Sequence, residues 1–235
     1  MISPLSSLTM LSPHHKGIRT LPIDRITIHC VVGQATAEAI GAWFQIEYPR
    51  HSCNYGIGRD GKIVCCLPEE YISMCSSSYA NDSHAITIEC ASDTVEPYRV
   101  NPAVYQSVIA LCSDICKRYQ KTKIVWFADK EKTLDYEPAD NEMVFTVHRW
   151  FDNKSCPGDY LYYSLGDIAN KATKDLKDDD LLIYNTLDEV PIWAKSTVSK
   201  LIEKKVLNGT NDGLSLSVDM LRVFVILDRL GLFDK

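Results

Sequence analysis

The segment RITIHC, Arg25 to Cys30, leaves the chain little freedom in how it folds. Ile26, Ile28 and Cys30 fall on one side and Arg25, Thr27 and His29 on the other, which is the period of a β-strand. A strand packed through its isoleucines presents His29 from the opposite face, near its end, where a functional group is reached. Taken alone, such a histidine reads as hydrogen-bonded and metal-free. The segment SHAITIECAS, residues 83–92, repeats the pattern, with Ile86, Ile88 and Cys90 on one face and Thr87 and Glu89 on the other. Glutamate is seldom fully buried without a partner, so Glu89 either reaches solvent or lies in a polar cleft.

Around these strands the remaining elements follow from caps, breakers and periodicity. Thr36 caps a helix carrying Ala39, Ile40, Trp43 and Phe44 on one stripe and ending before Pro49. In SCNYGIGRDGKIVCCLP, Asp60-Gly61 is a two-residue hairpin signal. Tyr55 opens the first strand of that hairpin, and by itself its phenol reads as an amphipathic strand residue. Asn101 and Pro102 start a helix with a core-facing stripe through Val104, Val108, Leu111 and Ile115. The charged stretch ADKEKTLDYEPAD reads as a surface loop, and Tyr160 to Lys174 as a closing helix.

A chain of 235 residues, at roughly 100 to 200 per domain, suggests one medium domain and one small one. The charged run KDLKDDD is the best break, dividing the chain into a domain at 1–174, a linker at 175–183 and a helical module at 184–235. In that module Pro191 opens one helix, with Trp193, Val198, Leu201 and Ile202 as its stripe, and Ser217 caps a second. The net charge of −6 and the lack of a Lys/Arg stripe argue against nucleic acid as a partner. No apolar run approaches the roughly 20 residues of a membrane span. Nine cysteines, an odd number without a CxxC pair, point to reduced thiols packed as small core residues rather than to disulfides. MISPLSSLTMLSPHHKGIR does not read as a secretory signal, so the expected location is the cytoplasm of the producing cell.

The segment HRWFDNKSCPG, His148 to Gly158, places an imidazole, an ammonium and a thiol close together. A catalytic zinc needs three protein ligands and an open position for water, and this segment offers two ligands. His29 completes a His2Cys set with His148 and Cys156. Lys154 is then a candidate to stabilise an oxyanion, with Glu89 and Tyr55 as candidates for proton transfer or hydrogen bonding. Cys30, beside His29 but on the other face by alternation, reads as core.

ITIHC, NYGIGRDGKI, ITIE and HRWFDNKSCPG occur in the order found in the type 2 N-acetylmuramoyl-L-alanine amidases, the family that includes phage lysozymes of the amidase type and peptidoglycan recognition proteins. The chain resembles this family over roughly residues 20 to 172, and the H-x(5)-K-x-C spacing is the most specific element. The resemblance implies an α/β fold with a central mixed sheet flanked by helices, followed by a small all-helical module. It implies Zn2+ on His29, His148 and Cys156, Lys154 as oxyanion stabiliser, and Tyr55 and Glu89 as catalytic, their division of labour open. The expected activity is hydrolysis of the amide between N-acetylmuramic acid and L-alanine in bacterial peptidoglycan, by an endolysin released at lysis. The rivals are a non-lytic peptidoglycan-binding module and a cytoplasmic amidase recycling muropeptides. The C-terminal segment more weakly resembles an S-layer-homology wall-attachment motif, in a single copy. A calcium loop through Asn208, Thr210, Asp212, Gly213 and Asp219 lacks the acidic first position and the terminal Glu, so an ordinary turn is preferred there.

Overall fold

The computed structural model describes residues 1–180 and 183–234, and the side chains of all of these except 177–180. It comprises two compact units, Met1–Leu176 and Lys177–Lys235. The first is built on a seven-stranded sheet of β1 (Ser6–Thr9), β2 (Arg25–Cys30), β3 (Tyr55–Ile57), β4 (Ile63–Cys65), β5 (Ala85–Cys90), β6 (Lys123–Val125) and β7 (Glu142–Val147), in the spatial order β1-β4-β3-β5-β2-β7-β6. β3 and β4 pair antiparallel through the Asp60-Gly61 turn, where Gly61 takes a left-handed φ of 82° that only glycine adopts freely. The other pairings are parallel, so the sheet is mixed.

One face of the central strands is dry. Ile26, Ile28, Tyr55, Ile57, Ile86, Ile88 and Phe145 pack into a single cluster with Val104, Val108, Leu111 and Ile115 of α3 (Pro102–Arg118) and Leu161, Leu165 and Ile168 of α5 (Asp159–Asp180). Burying each of the large aliphatic side chains contributes about 1.5–3 kcal/mol, which makes this layer the main source of the unit's cohesion. On the other face, α1 (Ala37–Gln45) covers the β3–β4 side through Ala37, Ile40 and Phe44 against Cys53, Val64 and Cys66. Thr36 caps it by accepting from the Ala39 amide.

Beside that helix, the same face is polar over the middle strands. Thr27 and Thr146, from β2 and β7, share a 2.7 Å hydrogen bond, and Asn81 of α2 (Tyr79–Asp82) donates to Thr27 and accepts from Thr146. Thr87 of β5 donates to Ser73 and accepts from the Asn54 amide. Every hydroxyl in this layer has a partner, which is what allows threonine at a buried position.

Three local expectations differ from the structure. Ala37, Ile40, Gly41 and Phe44 form the buried stripe of α1, whereas Trp43 is 42% exposed and packs edge-on against His51. The stretch expected as a loop before β7 contains α4 (Lys130–Leu134), because the Asp129 side chain accepts from the Lys132 amide and supplies a cap. The charged run at 174–180 continues α5 to Asp180, since no Gly or Pro lies between Gly166 and Asp180 to stop the helix and Leu176 still anchors it in the core. The rest of the expected linker includes residues 181 and 182, which lie outside the described residues.

The second unit holds α6 (Ile192–Glu203), α7 (Val218–Arg229) and a short antiparallel ladder of β8 (Ile183–Tyr184) with β9 (Leu216–Ser217). It is therefore helical with two added strand pieces. Val190, Ala194, Val198, Leu216, Leu221 and Val225 form its core. Ser217 caps α7 by accepting from the Met220 amide. Thr210 and Gly213 bond back to each other, so the Asn208–Gly213 loop closes as a turn. Among the described residues, no helix is long and apolar enough to cross a membrane.

Candidate metal centre

Strand register decides which side chains meet. Across the parallel β2–β5 pair Ile28 lies opposite Ile88 and His29 opposite Glu89, while β3 places Tyr55 opposite Ile88 and Gly56 opposite Glu89. Paired residues share a face, so His29 and Glu89 stand side by side on the polar face and Tyr55 stands with the isoleucines on the dry one. This corrects the expectation that Tyr55 serves the site. Its hydroxyl donates to Glu69 Oε1 at 2.5 Å and accepts from the Ser3 amide at 2.8 Å, and Glu69 is in turn held by Arg118 and Tyr119. Burial, followed by the Glu69 charge, drives the Tyr55 pKa far above its ordinary value. Tyr55 is a buried structural tyrosine that ties the N-terminal segment at Ser3 to the core.

His148 follows the last residue of β7 in a single 3-10 turn, His148–Trp150. β7 is the other parallel neighbour of β2, and this adjacency brings His148 within 5.1 Å of His29, ring centre to ring centre. Cys156 comes from the loop beyond. That loop is laced to its own base, because the Arg149 amide donates to the Cys156 carbonyl and the Arg149 guanidinium to Ser155 O and Asp159 while lying over the Tyr162 ring. Gly158 closes it at φ 82°, where a Cβ would meet Pro97 and Tyr98 atoms at 2.8 Å. Trp150 stacks on Trp126.

Ligand atoms of His29, His148 and Cys156 all lie within 4.8 Å of one another. Cys156 Sγ is 3.5 Å from His29 Nδ1. For a tetrahedral ion with bonds of about 2.0 Å to nitrogen and 2.3 Å to sulfur, that edge is about 3.5 Å, so the pair is spaced as such an ion requires. Burial lowers the pKa of both His29 and His148, leaving neutral imidazoles with free lone pairs. A hydrogen bond with Cys30, and then burial, pushes the Cys156 thiol up, and a cation at this point would reverse that preference. Two nitrogens and one soft sulfur fit a borderline-soft metal such as zinc.

Two groups outside the sequence-derived set touch the site residues, Ser77 at His148 and Cys75 at Glu89. Ser77 Oγ lies 3.1 Å from His148 Nε2 and donates to Asp152 Oδ2 at 3.2 Å. A hydroxyl has one proton to give, so it accepts from His148, which fixes the proton on Nε2 and leaves Nδ1 for a metal. Ser77 stands at the end of the loop 73–77. That loop is pinned by the Cys75 and Ser76 amides donating to Asp82 and by the bridge between Ser52 and Met74. The same loop delivers Cys75, whose thiol donates to Glu89 Oε1 at 3.6 Å. Neither residue carries a local sequence signal, since serines and cysteines abound in this region.

Glu89 is partly open to solvent, its Oε2 is enclosed without a hydrogen-bond partner among the described residues, and desolvation pushes its carboxyl up to about 7. Such a carboxyl is poised to exchange a proton near neutrality. Lys154 is exposed on the Cys156 loop and close enough to His148 to oppose its protonation, after burial and against Asp152. The structure thus gathers five of the six expected site residues, with Tyr55 left out.

The chain is similar to several solved structures. They include the Ph2119 endolysin from the Thermus scotoductus MAT2119 bacteriophage Ph2119, at 20% identity over 67% of this chain and 91% of that one with a TM-score of 0.44. The amidase LysC from Clostridium intestinale URNW matches at 16% over 69% and 95% with a TM-score of 0.46. A selenomethionine derivative of AmpD matches at 20% over 74% and 94% with a TM-score of 0.50, a likeness of fold. No curated protein matches the chain in sequence. The profile described as N-acetylmuramoyl-L-alanine amidase matches residues 19–159. That span is more than half of the chain and runs from before β2 to the start of α5, enclosing His29, Glu89, His148, Lys154 and Cys156, and on this match the chain belongs to the N-acetylmuramoyl-L-alanine amidase family.

Proposed function

We propose that this peptidoglycan amidase is a zinc-dependent endolysin that cuts the amide between N-acetylmuramic acid and the L-alanine of the stem peptide. The observation that carries the proposal is the convergence of His29, His148 and Cys156 beside the register-paired Glu89. His29, His148 and Cys156 would hold the ion. Zinc, when bound, supplies Lewis acidity to the scissile carbonyl and to the attacking water.

The chain's own residues do the rest. Glu89, its carboxyl raised to about 7, accepts a proton from the attacking water at Oε2 and returns it to the departing L-alanine nitrogen. Lys154, carried on the ligand loop in solvent, donates to the oxyanion that develops as the carbonyl becomes tetrahedral. Ser77 and Asp152 keep His148 in one tautomer throughout. The products are a free carboxylate on the muramic acid side and a free alanine amino group.

In this reading the enzyme stays in the cytoplasm of the producing cell until lysis, and the C-terminal unit holds it to the wall or to another copy. The test is release of new L-alanine amino groups from purified sacculi, with and without chelator. Chelation abolishes release and added Zn2+ restores it. Release that persists in chelator, or in a Cys156→Ser variant with its metal content unchanged, overturns the zinc reading. Cleavage of soluble muropeptides without cleavage of sacculi overturns the lytic one.

A further inference from the structure

His29 belongs to two ligand clusters. Beside the set with His148 and Cys156, its ring lies in a second group with Cys75 and Glu89, in which one ligand atom from each residue lies within 4.8 Å of the others. The two sets share His29 alone.

Three observations separate this second group from chance proximity. His29 is fully buried, its Nδ1 points to Cys156, and its other nitrogen, Nε2, is enclosed without a partner among the described residues. Among the described residues Glu89 Oε2 is likewise enclosed and unpartnered, with a long 3.6 Å contact from Cys75 on the other oxygen. The backbone beneath Cys75 is built rather than loose. Its amide and that of Ser76 donate to the Asp82 carboxylate, and the neighbouring Ser73 hydroxyl accepts from Thr87. A buried polar atom left without a hydrogen bond costs about 1–3 kcal/mol, so two of them on residues of one ligand cluster mark a place where a ligand is missing.

A thiolate sulfur, a carboxylate oxygen and an imidazole nitrogen make a donor set for zinc or a similarly soft divalent cation. Thiolate and carboxylate together carry two negative charges, which a divalent ion neutralises within the pocket. We propose that Cys75, Glu89 and His29 form a second site, adjacent to the first, that takes a second Zn2+ ion and thereby occupies the Glu89 carboxylate. Binding there displaces two protons to solvent, one from the Cys75 thiol and one from His29 Nε2, because a neutral ring that gives Nδ1 to the first ion carries its proton on Nε2. The site is weaker than the first, because a cation already on His29 repels a second one and withdraws electron density from the shared ring. The consequence is inhibition by excess zinc, since a carboxylate engaged by a metal no longer exchanges protons with substrate. That consequence rests on the zinc-amidase reading above, whereas the binding itself does not.

The experiment starts from full-length protein carrying one equivalent of Zn2+ and adds more Zn2+. Bound metal is counted by native mass spectrometry and by equilibrium dialysis. Wild type takes up a second equivalent per chain, and Cys75→Ser takes up only the first. Alkylation of Cys75 by iodoacetamide, followed by peptide mapping of the wild type, gives an answer independent of any variant, the second equivalent slowing modification of Cys75 at least about tenfold. A wild type that stops at one equivalent, a Cys75→Ser protein that still binds two, or a Cys75 alkylated at the same rate with and without excess Zn2+ overturns the site. In the sacculus assay, excess Zn2+ inhibits wild type and spares Cys75→Ser. If two ions bind by these criteria but no amide is cleaved at any zinc level, the proposed function fails and the second site stands.

Discussion

On the helix-covered face of the central sheet, Ile28, Ile88 and Tyr55 sit abreast in a dry layer; one residue further along, on the opposite face, His29 and Glu89 sit abreast with a nitrogen and an oxygen that have no partner among the described residues. The strands are the same and the environments are not. Where α3 and α5 cover the sheet, what counts is volume, because every apolar side chain is locked against others. Where loops cover it, what counts is donor and acceptor chemistry, because threonine and asparagine pair fully while His29 and Glu89 are left with free atoms. A mixed sheet covered on both sides can therefore concentrate its cohesion on one face and keep reactive groups on the other.

Substitutions on the two faces should separate stability from activity. The largest effect is expected at Glu89. Glu89→Gln keeps shape and folds as wild type, and amide cleavage falls by about 10²- to 10⁴-fold in the sacculus assay. A variant that kept wild-type turnover would remove Glu89 from proton transfer. Its dry-face neighbour behaves in the opposite way. Ile28→Ala, fully buried, should lose about 2–5 kcal/mol in urea unfolding while activity per folded molecule survives.

Ser77→Ala tests the polar face more finely. Without the hydroxyl that holds His148 Nε2, metal affinity measured by chelator competition should weaken about 10- to 100-fold, with stability of the exposed loop position changed by no more than about 0.5 kcal/mol. Unchanged affinity would mean that the tautomer is set some other way. The smallest effect belongs to Tyr55→Phe, which leaves the Ser3 amide without its acceptor and should cost about 1–2 kcal/mol of stability. Because the phenol points into the dry face, turnover should be unaltered, and a loss of turnover at full stability would return Tyr55 to the site.

Much of this comparison is legible before folding. Alternation in RITIHC and AITIEC separates Ile28 from His29 and Ile88 from Glu89, and the H-x(5)-K-x-C spacing marks His148, Lys154 and Cys156. Local capping is equally readable at Thr36, Asn101 and Ser217, all of which accept a backbone amide as expected. Reading fails where the signal is short or borrowed. The resemblance through NYGIGRDGKI implies Tyr55 at the site, but its strand is three residues long, and in so short a strand only pairing with β5 settles which face the phenol takes. Asp129 caps a helix too brief to show periodicity.

By itself the sequence determined the alternating strands, the caps, the Asp60-Gly61 hairpin and the residue types able to hold a metal, because each depends on neighbours a few positions away along the chain. Tertiary structure alone decided that His29 lies against Glu89 rather than beside it in solvent, that Tyr55 turns inward to Glu69, and that a loop pinned on Asp82 brings Cys75 to the carboxylate and Ser77 to His148. Those are contacts between residues far apart in sequence. Their register is set by which apolar faces must be buried together, and no single segment carries that information.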